Sequence, residues 1–264
     1  GIIQMELLRQ GAAGNGVEVT ESEVTDAIRL IFTPNVPEGQ EATPEQVQRE
    51  FEENYLSFIN RNRISDADYR EIIEGSLYFI KTREVLSTAI PSETEHVEVS
   101  WIRLPLHPDP DLGDPSKWTD VYGVMSRLET EAFEVVAQDY ALAFEFADPN
   151  GYVGWVPKGA FPGLDKALFG DGDQAVLGVG EVSNPIYSRP GNYRYVIRLV
   201  NEPQMRPVND RWVEELKDVA LENWLIDRFA RGTTEGWIEL KYDSDIYLWA
   251  AEQLRQTAGQ RRGE

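Results

Sequence analysis

The periodicity of the chain changes character at Pro91, and that switch bounds what it can fold into. Upstream the pattern is helical. Thr20-Glu21-Ser22-Glu23 has the form of a capping box, in which the Thr20 hydroxyl accepts from the third helical N–H and Glu23 reaches back to the cap. It predicts a helix over 21–32. Thr43-Pro44-Glu45-Gln46 repeats this chemistry with proline at the first helical position, where its missing N–H is no loss, and predicts a helix to Arg61. Ser65-Asp66-Ala67-Asp68 opens a third helix, expected to reach Ile90, with Tyr69, Ile72, Ile73, Phe79 and Ile80 forming one apolar face.

Beyond Pro91 the residues Val97 to Leu104 alternate as a strand does, with Val97, Val99 and Trp101 on one side. Helices are expected from Asp114-Pro115 to Leu128 and from Glu131 to Tyr140. Gly154-Trp155 reads as a tight passage into a loop, followed by a short helix ending near Phe169. Gly180 to Ser183 reads as a short strand and Tyr193 to Val200 as a final one. The order is β-α-α-α-β-β over roughly 105 residues, an α+β arrangement. From Asn209 the pattern is helical again, with Trp212, Leu216, Val219 and Ala220 at helical spacing. Trp237 to Tyr242 reads as a short strand, and Ile246 to Gln256 as a last turn or helix. This tail is expected to fold back onto the first helices, because Trp237, Ile238, Leu240, Tyr247 and Trp249 need cover.

Charge and composition remove whole classes of function. A formal charge of −21 repels phosphate backbones and anionic lipid heads, so nucleic acid and acidic membranes are discounted as partners. With no cysteine there is no disulfide framework, thiolate nucleophile or Cys-based metal site. Among 46 carboxylates close pairs arise by chance, so no glycosidase can be argued from spacing. Asp109-Pro110-Asp111 and Asp171-Gly172-Asp173 lack the ligand ladder of a calcium loop and read as solvated turns. Gly178-Val179-Gly180 has no phosphate-loop helix after it, and no Ser-His arrangement occurs in a fitting context. Neither a cofactor nor a metal is called for. No run of about 18 apolar residues occurs. The opening Gly1-Ile2-Ile3-Gln4-Met5-Glu6-Leu7-Leu8-Arg9 lacks a signal peptide's basic start and reads as the middle of an amphipathic helix, so a removed front end is expected.

The stretch Gly151-Tyr152-Val153-Gly154-Trp155-Val156-Pro157 through Phe161-Pro162-Gly163-Leu164, then Gly178-Val179-Gly180-Glu181-Val182-Ser183 and Asn192-Tyr193-Arg194-Tyr195-Val196, resembles the second half of a parvulin-type peptidyl-prolyl isomerase domain. With helices ahead of it and a returning terminal helix behind, the layout is similar to that of the secreted foldases SurA and PrsA. The resemblance implies a parvulin-like module over 94–206, inserted into an all-helical chaperone domain built from 1–93 and 207–264. It implies an extracytoplasmic location, periplasmic, secreted or membrane-anchored, and unfolded or nascent polypeptides with apolar or proline segments as partners, with a homodimer left open.

It also implies site residues. Val153, Phe161 and Leu164 fall where the proline-ring pocket is lined. The two strand histidines of the family align with Trp101 and Tyr195, and a third polar position aligns with Ala143. Catalytic roles would thus fall to Tyr195 and Trp101, while packing roles for both are the alternative. His96 and His107 read as surface residues outside the site. The loop from Pro105 to Asp114 is acidic where phosphate-selective parvulins are basic, so a phosphopeptide preference is not expected. Three functions stay open: a client-binding foldase with a degenerate isomerase site, a competent isomerase, and a non-catalytic assembly module.

Overall fold

The computed structural model describes residues 2–34, 43–106, 121–140, 146–170, 177–188 and 193–239. The first region is four helices: α1 (Ile2–Ala12), α2 (Glu21–Phe32), α3 (Pro44–Asn62) and α4 (Asp66–Ser87). The starts of α2, α3 and α4 are fixed by the predicted caps. Thr20 N–H donates to the Glu23 carboxylate at 2.8 Å, and Glu23 N–H to the Thr20 hydroxyl at 3.3 Å. Thr43 and Gln46 form the same reciprocal pair, and Ser65 accepts from Asp68 N–H at 3.1 Å. Each such cap holds a helix end by about 1 kcal/mol. Val24, Ile28, Ile59, Tyr69 and Ile73 form the core, with Phe32, Tyr55 and Phe58 packed against it.

Two expectations are corrected here. The single apolar face on α4 divides: Tyr69 and Ile73 are buried, whereas Ile72, Phe79 and Ile80 are exposed. At 100° per residue, 72 and 79 lie beside the face shared by 69 and 73, whereas Ile80 keeps the azimuth of that face and is exposed two turns further along the helix. The helix also stops at Ser87, and Thr88 to Ile90 continue as tighter turns, with Ile90 N–H donating to Ser87 O at 3.0 Å.

The second region is one antiparallel sheet of β1 (Glu93–Pro105), β2 (Tyr152–Pro157), β3 (Ile186–Ser188) and β4 (Tyr193–Pro207), in the order β2-β1-β4-β3. Alternation along β1 sorts side chains to two cores. On one face Val97, Val99 and Trp101 join Tyr195, Ile197 and Leu199 under α7 (Pro162–Phe169), whose Leu164 and Leu168 are enclosed. On the other, Ile102, Leu104 and Val196 pack against α5 (Val121–Leu128) and α6 (Phe133–Tyr140).

Three strand readings change. Gly154-Trp155 lies inside β2, not in a loop: Gly154 pairs with Val99 and has φ 82°, beside a register irregularity at Val99/Ser100. Glycine takes this conformation without a Cβ clash and lets the strand bend while staying paired. Gly180 to Ser183 is a single bridge, Val182 to Arg198, and the regular strand comes later as β3. β4 runs to Pro207, because residues beyond Val200 pair with the first part of β1. The expected helix start at Asp114-Pro115 lies outside the described residues.

Helix α8 (Asp210–Glu235) follows, capped by Asn209, whose side chain accepts from Trp212 N–H at 3.2 Å. It returns to the first region. Arg83 of α4 bridges to Glu214 at 2.9 Å and Asp218 at 2.5 Å, while Lys217 reaches Glu84 at 3.1 Å. Further along, Trp224 and Arg228 lie so close to Gly11 of α1 that a Cβ there would be 2.5 Å from each. The strand expected from Trp237 begins differently. Ile238 N–H closes a turn onto Gly232 O at 2.9 Å, and its side chain covers Gly232. The tail from Leu240, with the expected last helix, lies outside the described residues.

Candidate functional site

One face of the sheet gathers the aromatic residues singled out from sequence. Arg103 and Tyr195 are directly opposed between β1 and β4, and Trp101 lies two residues along on the same face. The Trp101 and Tyr195 rings meet edge to face, with centroids 5.4 Å apart and planes at 76°. Phe161 closes on Trp101 in the same way, at 5.1 Å and 87°.

Phe161 is placed by its turn. Pro162 occupies the first position of α7, and Gly159, at φ 95°, donates its N–H to both carboxylate oxygens of Asp165 at 3.2 and 3.0 Å. Burial pushes the Asp165 carboxyl up, opposed by that N–H and by Lys158. Gly163 allows α7 to sit on β3, since a Cβ there would be 2.8 Å from the Ser188 hydroxyl.

Helix α8 adds the piece that sequence reading left unassigned. Trp212, 3% exposed, stacks on Phe146 with centroids 4.7 Å apart and planes at 9°, and stands edge-on to Phe161 at 6.0 Å. The Arg211 guanidinium lies 4.3 Å over the Phe146 ring. Between these rings, the start of α7 and α8 is a cleft of about 210 Å³. Phe146, Phe161, Tyr193 and Tyr195 make its aromatic walls, Val219 adds an apolar patch, and Arg103, Glu215 and Glu222 supply charge.

The predicted residues divide by position. Phe161 and Tyr195 line the cleft. Leu164 at 0% and Trp101 at 1% exposure are enclosed in the core behind it, and half-buried Val153 packs against the same cluster. Tyr195 is largely enclosed too. Burial raises its hydroxyl above the ordinary phenol range, and the Arg103 guanidinium opposes this through its charge and a hydrogen bond. Arg103 also lies 4.4 Å over the Tyr193 ring. The Tyr195 hydroxyl is therefore a neutral group held by a neighbouring cation.

His96 corrects an expectation. It is 2% exposed, not on the surface, and its Nδ1 lies 2.9 Å from Thr94 O. The strand begins three residues before His96, which is paired with Pro157 on one side and Gln204 on the other. Five residues separate it from Trp101, about 17 Å along a strand, so it takes no part in the cleft. His107 and Ala143 lie outside the described residues. No group of three or more His, Asp or Glu able to hold a metal ion occurs among the described residues, and no helix among them is long and apolar enough to cross a membrane.

No family model and no curated protein matches the chain. Solved structures do. The peptidylprolyl isomerase PrsA from Bacillus anthracis is 14% identical, with 91% of this chain and 97% of that one covered at a TM-score of 0.49. The foldase PrsA from Streptococcus pneumoniae is 16% identical over 93% and 86%, at 0.39. A structure from Campylobacter jejuni, described as one of two SurA-like chaperones, is 12% identical over 87% and 98%, at 0.32.

Proposed function

We propose that the chain is an extracytoplasmic foldase of the chaperone type, which holds unfolded or proline-containing polypeptide in the cleft between the sheet and α8 and isomerises prolyl bonds weakly or not at all. The observation that carries this reading is the cleft itself. Its walls are rigid aromatic rings with one aliphatic patch, the surface that favours proline and other apolar side chains, with Arg103 and two glutamates as polar contacts.

Rotation about an X-Pro bond faces a barrier of about 20 kcal/mol and needs no nucleophile, only tighter binding of the twisted amide than of either planar form. Here the two positions that would polarise it are an enclosed indole and a neutral phenol already engaged by Arg103. Shape selection remains available. A proton-sharing imidazole pair does not, since His96 lies elsewhere on β1.

Fluorescence anisotropy of a labelled proline-containing peptide, with and without Val219→Trp, tests the reading. The added indole fills the cleft from the α8 side and leaves the core untouched, so binding should weaken about tenfold or more, a change of ~1.4 kcal/mol. Unchanged binding refutes the cleft as the client site. Prolyl isomerisation by the unaltered protein at the rate of an ordinary parvulin would establish the competent-isomerase reading instead. A stable oligomer that protects no client from aggregation would establish the assembly-module reading.

A further inference from the structure

A second cavity lies far along the chain from the cleft, between α1 and α4. It has a volume of about 600 Å³, within the ~300–1,000 Å³ typical of ligand pockets. Its floor is apolar, from Met5, Ile72, Tyr78 and the bare backbone of Gly75. The Met5 methyl group packs onto Gly75, 2.2 Å from where a Cβ would stand. Ile72 is 46% exposed, and Phe79, one residue beyond Tyr78, is exposed as well. The apolar strip thus continues out of the cavity along α4.

The rim is anionic. Asp68, Glu71 and Glu74 stand along the α4 edge, and Glu6 on α1 faces them. The one cation on the rim, Arg9, is turned to Glu6, with bonds of 3.0 and 2.9 Å. Glu71 and Glu74 form no ion pair among the described residues, and Asp68 accepts only from the Ser65 hydroxyl at 2.6 Å. Four carboxylates thus share one rim cation, Arg9, which feels the charge of Glu71 and Glu74 but spends its hydrogen bonds on Glu6, and the net negative rim of an apolar groove attracts a cationic ligand.

We infer that this groove binds a short cationic amphipathic polypeptide segment, its apolar side chains on Met5, Ile72 and Tyr78 and its lysines or arginines against Glu71 and Glu74. Charge selects this occupant over the others. A second copy of a chain carrying −21 would bring like charge to an anionic rim, and an anionic lipid surface would be repelled for the same reason. Segments laid in an apolar groove along a helix, with the flanking charge setting specificity, are a common mode of peptide recognition. The site is independent of the proposed cleft and shares no residue with it.

The test uses two labelled peptides with identical apolar positions, one with lysine and one with glutamate at the polar positions, titrated with the whole chain at low and at physiological salt. The lysine peptide should bind about tenfold or more tightly than the glutamate peptide, and salt should narrow the gap. Glu71→Lys with Glu74→Lys should invert the preference, and Ile72→Ser should weaken both peptides. Glu50→Lys with Glu53→Lys, the same change on exposed positions of α3, should leave the preference standing. Equal loss in the two double variants would reduce the effect to overall charge and overturn the inference. So would a dimer of the unaltered chain that Ile72→Ser dissociates. Loss of peptide binding in Val219→Trp bears on the cleft alone.

Discussion

Replacing Trp212 by alanine should release the start of α8 from the sheet. The indole is buried, stacks on Phe146 at 4.7 Å and meets Phe161 at 6.0 Å. Truncating a buried tryptophan costs about 3–5 kcal/mol, of which each aromatic pair accounts for ~0.5–1.5. The void left by Trp212→Ala borders Phe146 and Phe161, which already line the 210 Å³ cleft, so water can enter it. A wetted void forfeits less than a sealed one, which places the loss near the lower bound, about 3 kcal/mol. With a urea m-value of ~3 kcal/mol/M for a chain this long, the midpoint should fall by about 1 M. Trp212→Phe keeps a stacking partner for Phe146 and should lose about half as much. Urea titration followed by far-UV circular dichroism measures both. A shift below ~0.3 M for Trp212→Ala would mean that the ring does not seat the helix, and the account of the cleft as a joint product of sheet and α8 would fail.

Arg83→Ala removes a half-buried guanidinium from the exposed carboxylates of Glu214 and Asp218 and from the Glu214 carbonyl, and should destabilise the chain by about 1 kcal/mol in the same assay. The Glu23 carboxyl, bonded by Lys81 and by the Thr20 N–H, is held down to about 2 from an ordinary 4.5. Its folded value is the lower one, so its stabilising contribution is intact above 4.5 and is lost as pH falls from there through about 2. Carboxyl-carbon NMR titration should show this midpoint, and Lys81→Met should raise it. Tyr195, raised by burial, should remain un-ionised at a pH where exposed tyrosines have titrated, read as the difference in alkaline ultraviolet titration between the unaltered chain and Tyr195→Phe.

What could be read from sequence was what local chemistry decides. Thr20, Thr43 and Ser65 satisfy N–H groups within three residues of themselves, so their helices start where the caps place them. Val97, Val99 and Trp101 share a face because a strand repeats every two residues. The failures in the sheet depend on distant partners. β2 contains Gly154 and ends at Pro157, turn signals by composition, yet β1 supplies the pairing that makes it a strand. The last third of β4 contains Pro203, tolerated because β3 covers only Tyr193 to Tyr195 and leaves that side of the strand without a ladder to break. His96 looked exposed because nothing nearby in sequence covers it. At the site, Trp101, Phe161 and Tyr195 were found together because they sit on one module. Val219 and Glu222 were missed because the cleft forms only when α8 is laid across the sheet.

The position of α8 also fixes an order of events when the chain is made. Arg83 and its acceptor Glu214 are 131 residues apart, and Gly11 waits longer still for Trp224. At ribosomal rates of roughly 5–20 residues per second, the early helices stand for roughly 7–40 s without the strut that later spans them. During synthesis this protein therefore carries bare apolar surface of its own, and the late arrival of α8 is what hides it.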